Sequence, residues 1–298
     1  MTVTRSGFVA LAGRPNVGKS TFVNAVVGEK VAIVSEKPQT TRRAIRGVHQ
    51  SEDVQLVLVD LPGVQRPRDA LTARMAKRVQ QELEGADAAL LMLNGEQGIG
   101  PGDRFIARAL AGAGTATTIA VNKIDRLSQG ALLEALTGAA GLELDAEVFP
   151  ISARSGVGVA ELIAHLGGML PEGPFMFEAQ STSDQPEEQL VAELIREAAI
   201  RRTFQEVPHA VEVVVEEIER PRAGSGRAIV VRALVWVETS SQKRILVGAK
   251  GEMIKAIGIA ARKELERALG GHVHLELSVR VRRDWRADES LLDRLGIS

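Results

Sequence analysis

The run Gly13-Arg14-Pro15-Asn16-Val17-Gly18-Lys19-Ser20 constrains this chain more than any other feature. It lies between an apolar stretch, Gly7 to Ala12, and a helical pattern that starts at Gly18. Its spacing, G-x-x-x-x-G-K-[ST], belongs to a loop whose glycines let the backbone wrap around phosphate oxygens. Backbone N–H groups and the positive end of the following helix donate to the anion. Lys19 reaches the terminal phosphates, the Ser20 hydroxyl ligates Mg²⁺, and Thr21 follows in the first helical turn. A strand, loop and helix in this order imply a parallel sheet wrapped by helices.

The rest of the first 170 residues supplies that sheet. Near-continuous apolar runs at 54–59, 86–93, 118–121 and 147–150 read as strands buried on both faces. Helical spacing recurs at 71–83, 103–110 and 159–170. The expectation is an α/β domain over residues 1–172. The stretch 171–187 holds three prolines and a polar cluster without periodicity, and the linker is placed at 173–187. Residues 188–298 change rhythm: a helix at 188–203, strands at 210–219 and 227–237, and two short helices around 251–269. A last strand follows, in which Val273, Leu275, Leu277, Val279 and Val281 alternate onto one face. That order, α-β-β-α-α-β, is an α+β pattern.

Three further motifs fall at the carboxyl ends of predicted strands, where open α/β sheets bind ligands. Asp60-Leu61-Pro62-Gly63 follows the 54–59 run, and Asp60 there would hold the same Mg²⁺ through water, bridging the β and γ phosphates. Asn122-Lys123-Ile124-Asp125 follows 118–121. A carboxylate accepts from two adjacent N–H donors, which guanine offers at N1 and N2 and adenine does not. Facing adenine, Asp125 would keep an unpaired buried acceptor, so it is read as the selector of guanine. Asn122 ties loops together and touches the base, with Lys123 along its face. Ile151-Ser152-Ala153 follows the last run, and the Ala153 N–H is expected to point at guanine O6. The polar segment 35–46 is a candidate switch loop whose order depends on the γ-phosphate.

Composition excludes several classes. With no cysteine there is no disulfide framework, thiolate nucleophile, Cys-ligated zinc or iron–sulfur cluster. No apolar run approaches the ~18 to 20 residues that cross a bilayer, and the first residues are polar, so the chain reads as soluble, unexported and cytoplasmic. The net charge is only −1, yet it conceals segregation: residues 227–286 carry 13 Lys or Arg against 6 Asp or Glu, and 187–222 carry 9 acidic against 5 basic residues.

The basic segment contains Gly248-Ala249-Lys250-Gly251, a G-x-x-G turn between amphipathic helices. Such a turn admits a nucleic-acid backbone closely, and Lys250 supplies charge. With the element order around it, residues 188–285 resemble a type II KH domain, which implies RNA binding at Gly248, Ala249, Lys250, Gly251 and Lys255. Arg280, Arg282, Arg283 and Arg286 offer a phosphate-contacting edge, or equally a solvated face. Ile245, Val247, Ile254 and Ile257 are candidates for the groove floor or for plain core. Among seven Phe and two Trp, only Trp236 sits at an alternating strand site, which argues against an RRM sheet with stacking aromatics.

GRPNVGKS, DLPG, NKID and ISA in this order resemble the translation-factor-related small GTPases, and Pro38-Gln39-Thr40-Thr41-Arg42 resembles the effector loop of the Era family. One P-loop GTPase domain followed by a type II KH domain resembles that family over nearly the whole chain. The resemblance implies a loop threonine closing on Mg²⁺ and the γ-phosphate, assigned to Thr41 with Thr40 as rival. Ser20, Thr41 and Asp60 then hold the metal, and Lys19, Thr41, Gly63 and Asn16 serve hydrolysis, Asn16 through a K⁺ ion near the phosphates. Val64 stands where Ras-like enzymes place a water-orienting glutamine, with Gln65 one step beyond. The resemblance further implies a slow GTPase acting in ribosome assembly. It would bind the 3′ end of 16S rRNA and the immature small (30S) subunit under control of GTP and GDP, and touch the membrane peripherally. A monomer is expected. The competing readings are a P-loop kinase or ATPase, disfavoured by Asn122 and Asp125, an RNA-binding module with an inert nucleotide site, and a tRNA-modifying GTPase, which needs a further domain not found here.

Overall fold

The computed structural model describes residues 3–37, 40–64, 68–222 and 226–297. β1 (Arg5–Ala12) leads through the phosphate loop into α1 (Lys19–Val27). β2 (Ile45–Gln50), β3 (Val54–Asp60), α2 (Ala70–Gly85), β4 (Ala88–Asn94), α3 (Pro101–Ala113), β5 (Thr117–Asn122), α4 (Gln129–Ala140), β6 (Val148–Pro150) and α5 (Val159–Met169) follow. The sheet order is β2-β3-β1-β4-β5-β6, with β2 antiparallel to β3 and the other neighbours parallel. All seven residues of β4 are buried, which is why it reads as an unbroken apolar run. Two elements depart from the sequence expectation. β2 begins inside the segment expected to be a switch loop, and its sequence, IRGVHQ, carries too few apolar residues to announce a strand. α4 went unmarked because it is built largely of Ala, Leu, Gly and Thr without a clean apolar stripe.

The second half contains α6 (Glu187–Arg202), the single turn α7 (Val207–Ala210), β7 (Glu212–Glu219), β8 (Ile229–Val237), α8 (Ser240–Val247), α9 (Glu252–Leu269), β9 (Val273–Val281) and α10 (Glu289–Arg294). Its sheet order is β7-β8-β9, antiparallel then parallel. Val191, Leu194, Ile195 and Ala198 of α6 meet Val231, Ala233 and Val235 of β8 and Ile257, Ala261 and Leu265 of α9 in one core. The segment expected to be a linker lies along the first sheet. Gln55 accepts from the backbone N–H of Met176 and Phe177 at 2.7 and 2.9 Å and donates to Phe177 O at 2.8 Å. Ser183 donates to Arg46 O at 2.7 Å, and Val48 N–H to Thr182 O at 2.9 Å.

A charged seam joins the two halves. Ten consecutive residues of α6, Val191 to Ile200, are buried, including Glu193, Arg196 and Glu197, because the polar side of the helix faces the effector loop. Buried charges persist only when paired and hydrogen-bonded. Arg42, buried completely, donates to Glu212 Oε2 at 2.6 Å, Val211 O at 2.7 Å and His209 O at 2.7 Å. Arg43 reaches Glu193 Oε1 at 2.7 Å and Leu295 O at 2.7 Å. Arg196 donates to Glu193 and to Thr40 O. Beside this network Trp285 is buried with Leu71 and Met75 of α2 and with Leu291 and Leu292 of α10, and its Nε1 donates to Ala210 O at 3.0 Å.

Burial alone would raise the Glu212 carboxyl, but Arg43, Arg42 and Arg196 outweigh it and hold the group at about 2, below the ordinary 4.5. A depressed carboxyl pKa contributes stability above its unfolded value and loses it as pH falls through the folded one. Glu212→Gln is therefore expected to cost about 3 kcal/mol at neutral pH, because it leaves the buried Arg42 without its carboxylate. In urea titrations the difference from wild type should shrink as pH falls from 4.5 toward 2. A difference constant across that window would mean that the ion pairing contributes nothing.

Candidate functional site

β1 ends where the chain turns sharply into α1, and the turn requires Gly18. Its φ is 106°, and a Cβ there would lie 2.2 Å from the Asn122 amide nitrogen. The loop borders a cavity of about 900 Å³ lined by Pro15, Asn16, Gly18, Lys19, Ser20 and Thr21 on one side and by Gly63, Asn122, Lys123, Asp125 and Ala153 elsewhere. These residues, up to 138 positions apart in sequence (153 less 15), meet because they follow the carboxyl ends of adjacent strands.

At one end of the cavity Ser20 Oγ donates to Asp60 Oδ2 at 2.5 Å, and Thr41 Oγ1 lies 3.1 Å from Ser20 Oγ and 3.5 Å from Asp60 Oδ2. Thr40 turns its hydroxyl the other way, donating to Lys37 O at 2.6 Å. Asp60 is completely buried and its Oδ1 has no hydrogen-bond partner. Burial pushes the Asp60 carboxyl up to about 6 against the opposing pull of Lys19, Ser20 and Thr41. Burial likewise lowers Lys19 to about 8, opposed by Asp60. The Lys19 ammonium rests on Gly13 O and Arg14 O at 3.1 and 3.2 Å. Two ions thus stand desolvated side by side with an orphaned carboxylate oxygen, an arrangement that an added cation and an added polyanion would both relieve.

At the other end Asn122 ties three segments: its Nδ2 donates to Val17 O at 2.8 Å, and its Oδ1 accepts from Lys123 N at 2.8 Å and Ala153 N at 2.9 Å. The Ala153 N–H, expected to face guanine O6, here donates to the Asn122 amide oxygen. Ser152, fully buried, donates to Asp125 Oδ1 at 2.7 Å and orients that carboxylate from behind. Val17 and Leu61 are completely buried core residues, and Pro62 is buried as well, so any part these three take at the site falls to their backbone. Arg14 turns to the buried Asp103 at 2.8 Å. Val64 packs against the apolar cores on the far side of the sheet. Gln65 and, in the effector loop, Pro38 and Gln39 lie outside the described residues.

Sequence reasoning missed two lining residues from the second half, Arg201 and Phe204 at the end of α6. No local signal marks them, since they reach the cavity only through the docking of α6 on the loop. Lys37 Nζ stands 4.5 Å over the Phe204 ring.

The second candidate site is the turn between α8 and α9. Gly248 has φ 74°, and a Cβ on it would come within 2.8 Å of Met253 N, so the chain can close there only without a side chain. Ala249 and Lys250 are exposed at the tip, Lys250 with φ 50°, and Lys255 is exposed one turn into α9. Ile245 is exposed, Val247 and Ile254 are half-buried, and Ile257 belongs to the core, which removes it from any groove floor. Arg280 is exposed on edge strand β9, and Arg282 is exposed just past its end. Arg286 is not available to that edge, because it pairs with Asp69 at the start of α2. Trp236 packs beside Trp285 and so presents no stacking platform.

Residues 8–123 match the model of the 50S ribosome-binding GTPase family, and residues 206–286 match the KH domain model. GTPase Era of Lactobacillus helveticus is 43% identical over 292 residues, covering 98% of this chain and 96% of that protein. GTPase Era of Mycobacterium bovis is 44% identical over 300 residues, covering 99% of this chain and all of that protein. A crystal structure of Era in complex with MgGDPNP and nucleotides 1506–1542 of 16S ribosomal RNA superimposes with a TM-score of 0.93 at 35% identity, covering 99% of both chains. A variant of Aquifex aeolicus Era bound to GDP·AlF4⁻ also gives 0.93 at 35% identity, covering 99% of this chain and 100% of that one. The chain belongs to the Era family of GTPases, with a P-loop GTPase domain followed by a KH domain.

Proposed function

We propose that this GTPase carries guanine nucleotide in the cavity above the sheet and the 3′ end of 16S rRNA on its KH turn, and that the effector loop makes each site sensitive to the other. The boundaries that fit this division are 1–172 for the GTPase domain, 173–187 for the connecting strap and 188–298 for the KH domain with its tail. The observation that carries the reading is the placement of four consecutive residues. Thr41 stands against Ser20 and Asp60, while Thr40, Arg42 and Arg43 are fastened to α6, α7 and β7.

Ser20, Thr41 and the orphaned oxygen of Asp60 suit Mg²⁺, a hard cation that prefers oxygen ligands, and a crystal structure of Era contains it with a GTP analogue. When bound, the ion neutralises charge that develops between the β and γ phosphates. Lys19 and the backbone N–H groups of residues 13–20 hold the phosphates, and Asp125, oriented by Ser152, reads the base edge. Val64, which packs against the core and has no polar side-chain atom, cannot orient the attacking water. Asn16 donates its amide to Glu36 O at 2.5 Å, which leaves its carbonyl oxygen as the atom to hold K⁺ near the phosphates.

Exposed Lys250, Lys255, Arg280 and Arg282 contact the RNA backbone, and the bare Gly248 and Gly251 let it approach. The RNA is read as part of the 30S precursor and the protein as a monomer in the cytoplasm. Its membrane contact is peripheral; among the described residues no helix is long and apolar enough to cross a bilayer.

Three outcomes test this. Asp125→Asn should weaken GTP by about 100-fold or more, and should raise affinity for xanthosine triphosphate, whose base replaces a donor with an acceptor; nucleotide competition with a fluorescent probe measures both. Hydrolysis should run faster in K⁺ than in Na⁺ at equal ionic strength, with Asn16→Ala abolishing the difference. RNA carrying the 3′ end of 16S rRNA should bind more tightly with a GTP analogue than with GDP, since a ligand shifts a two-state equilibrium only through unequal affinity. Equal affinities by fluorescence anisotropy would remove the switch and leave two independent sites.

A further inference from the structure

The segment Val34 to Lys37 also lines the cavity, as a wall, and much of what holds it comes from the other domain. The Val34 N–H donates to Glu197 Oε1 at 3.1 Å. Arg201 returns a hydrogen bond to Val34 O at 3.1 Å and pairs with the same carboxylate at 2.7 Å. Lys37 Nζ reaches Ile200 O at 2.5 Å and also Thr203 O at the end of α6. Lys30, just before the wall, bridges Glu197 Oε2 at 2.5 Å and Glu264 of α9 at 2.7 Å. Within the GTPase domain, the wall's side-chain support is the bond from Asn16 to Glu36 O, the Thr40 bond to Lys37 O and the local Ser35 bond to Lys37 N. Glu197 is the centre of this arrangement: 2% exposed, it accepts from Val34, Lys30 and Arg201 together.

We propose that Glu197 of the KH domain is a positioning residue of the nucleotide site, holding the Val34–Lys37 wall across the cavity so that bound guanine nucleotide leaves slowly. The proposal rests on the assignment of this cavity to the nucleotide. Glu197 does not itself line the cavity, so it acts through the loop and through Arg201, which does. A buried carboxylate with three donors cannot shift without stranding all of them, and the wall therefore follows α6 as one body. Whatever moves α6 moves the wall with it, and to the extent that this changes nucleotide affinity, nucleotide binding biases the position of α6 by the same free energy.

The test uses the full-length protein loaded with a fluorescent GDP, chased with excess GDP, and followed for release. Glu197→Ala is expected to speed release about tenfold, the effect of losing a hydrogen bond to a charged group. Glu197→Gln, which keeps an acceptor for the Val34 N–H but cannot pair with Lys30 and Arg201, should give an intermediate rate, about threefold. Glu264→Gln, which removes the other carboxylate on Lys30 but does not touch the wall, should release at the wild-type rate. If Glu197→Ala fails to fold, Glu197→Gln decides, because it keeps the volume of the side chain in the core, and faster release is again expected. Wild-type release from both Glu197→Ala and Glu197→Gln overturns the positioning role while leaving the cavity's assignment intact, provided Asp125→Asn still loses GDP. Failure of the wild-type protein to bind the fluorescent GDP overturns the assignment and this proposal with it.

Discussion

The structure depends on where the charges of Arg42, Arg43 and Arg196 go. Three guanidinium groups, each at most 7% exposed, meet two carboxylates, Glu193 and Glu212, and a series of backbone carbonyls at the seam between the domains. Such a network is a poor source of stability compared with an apolar contact of the same volume, because desolvation offsets most of the Coulomb attraction. Its effect is on specificity. Any docking displaced by a few ångströms would leave a buried charge unpaired, so the domains have one favourable arrangement in this state rather than a range. Arg42 and Arg43 follow Thr41 directly, so that arrangement also fixes the hydroxyl beside Ser20 and Asp60.

The nucleotide end shows the complementary condition. Lys19 and Asp60 are both pushed toward neutrality by burial. A site that holds a cation and a carboxylate out of solvent, with a carboxylate oxygen left over, is prepared for a charged ligand before the ligand arrives. Asn122 adds rigidity by tying Val17, Lys123 and Ala153, segments that belong to three different strand ends.

At the RNA end the preparation is steric. Gly248 permits the chain to pass against Met253, and Lys250 stands exposed at the tip. The acidic content of α6 and β7, which balances the basic segment in the overall charge, divides in two. Glu193, Glu197 and Glu212 are spent inside the seam, whereas Glu216, Glu217 and Glu219 remain exposed on β7 or at its end. Net charge alone could not have separated the two roles.

The sequence by itself determined what local spacing can encode. GRPNVGKS announced the phosphate loop because the turn from β1 to α1 needs glycine at position 18, and the unbroken apolar run of β4 announced a strand covered on both faces. The alternation of β9 and the order of elements in the second half were legible for the same reason. Family resemblance pointed to Thr41, and the tertiary structure put its hydroxyl, rather than that of Thr40, beside Ser20 and Asp60. Tertiary structure alone decided that β2 pairs with β3, that residues 173–187 lie pinned to the first sheet, and that Arg201 and Phe204 border a cavity built by the other domain. Apart from the β2–β3 ladder, those contacts join residues more than a hundred positions apart through side chains such as Arg and Gln that read in isolation as solvated surface; only the approach of two folded surfaces removes the water and makes them partners.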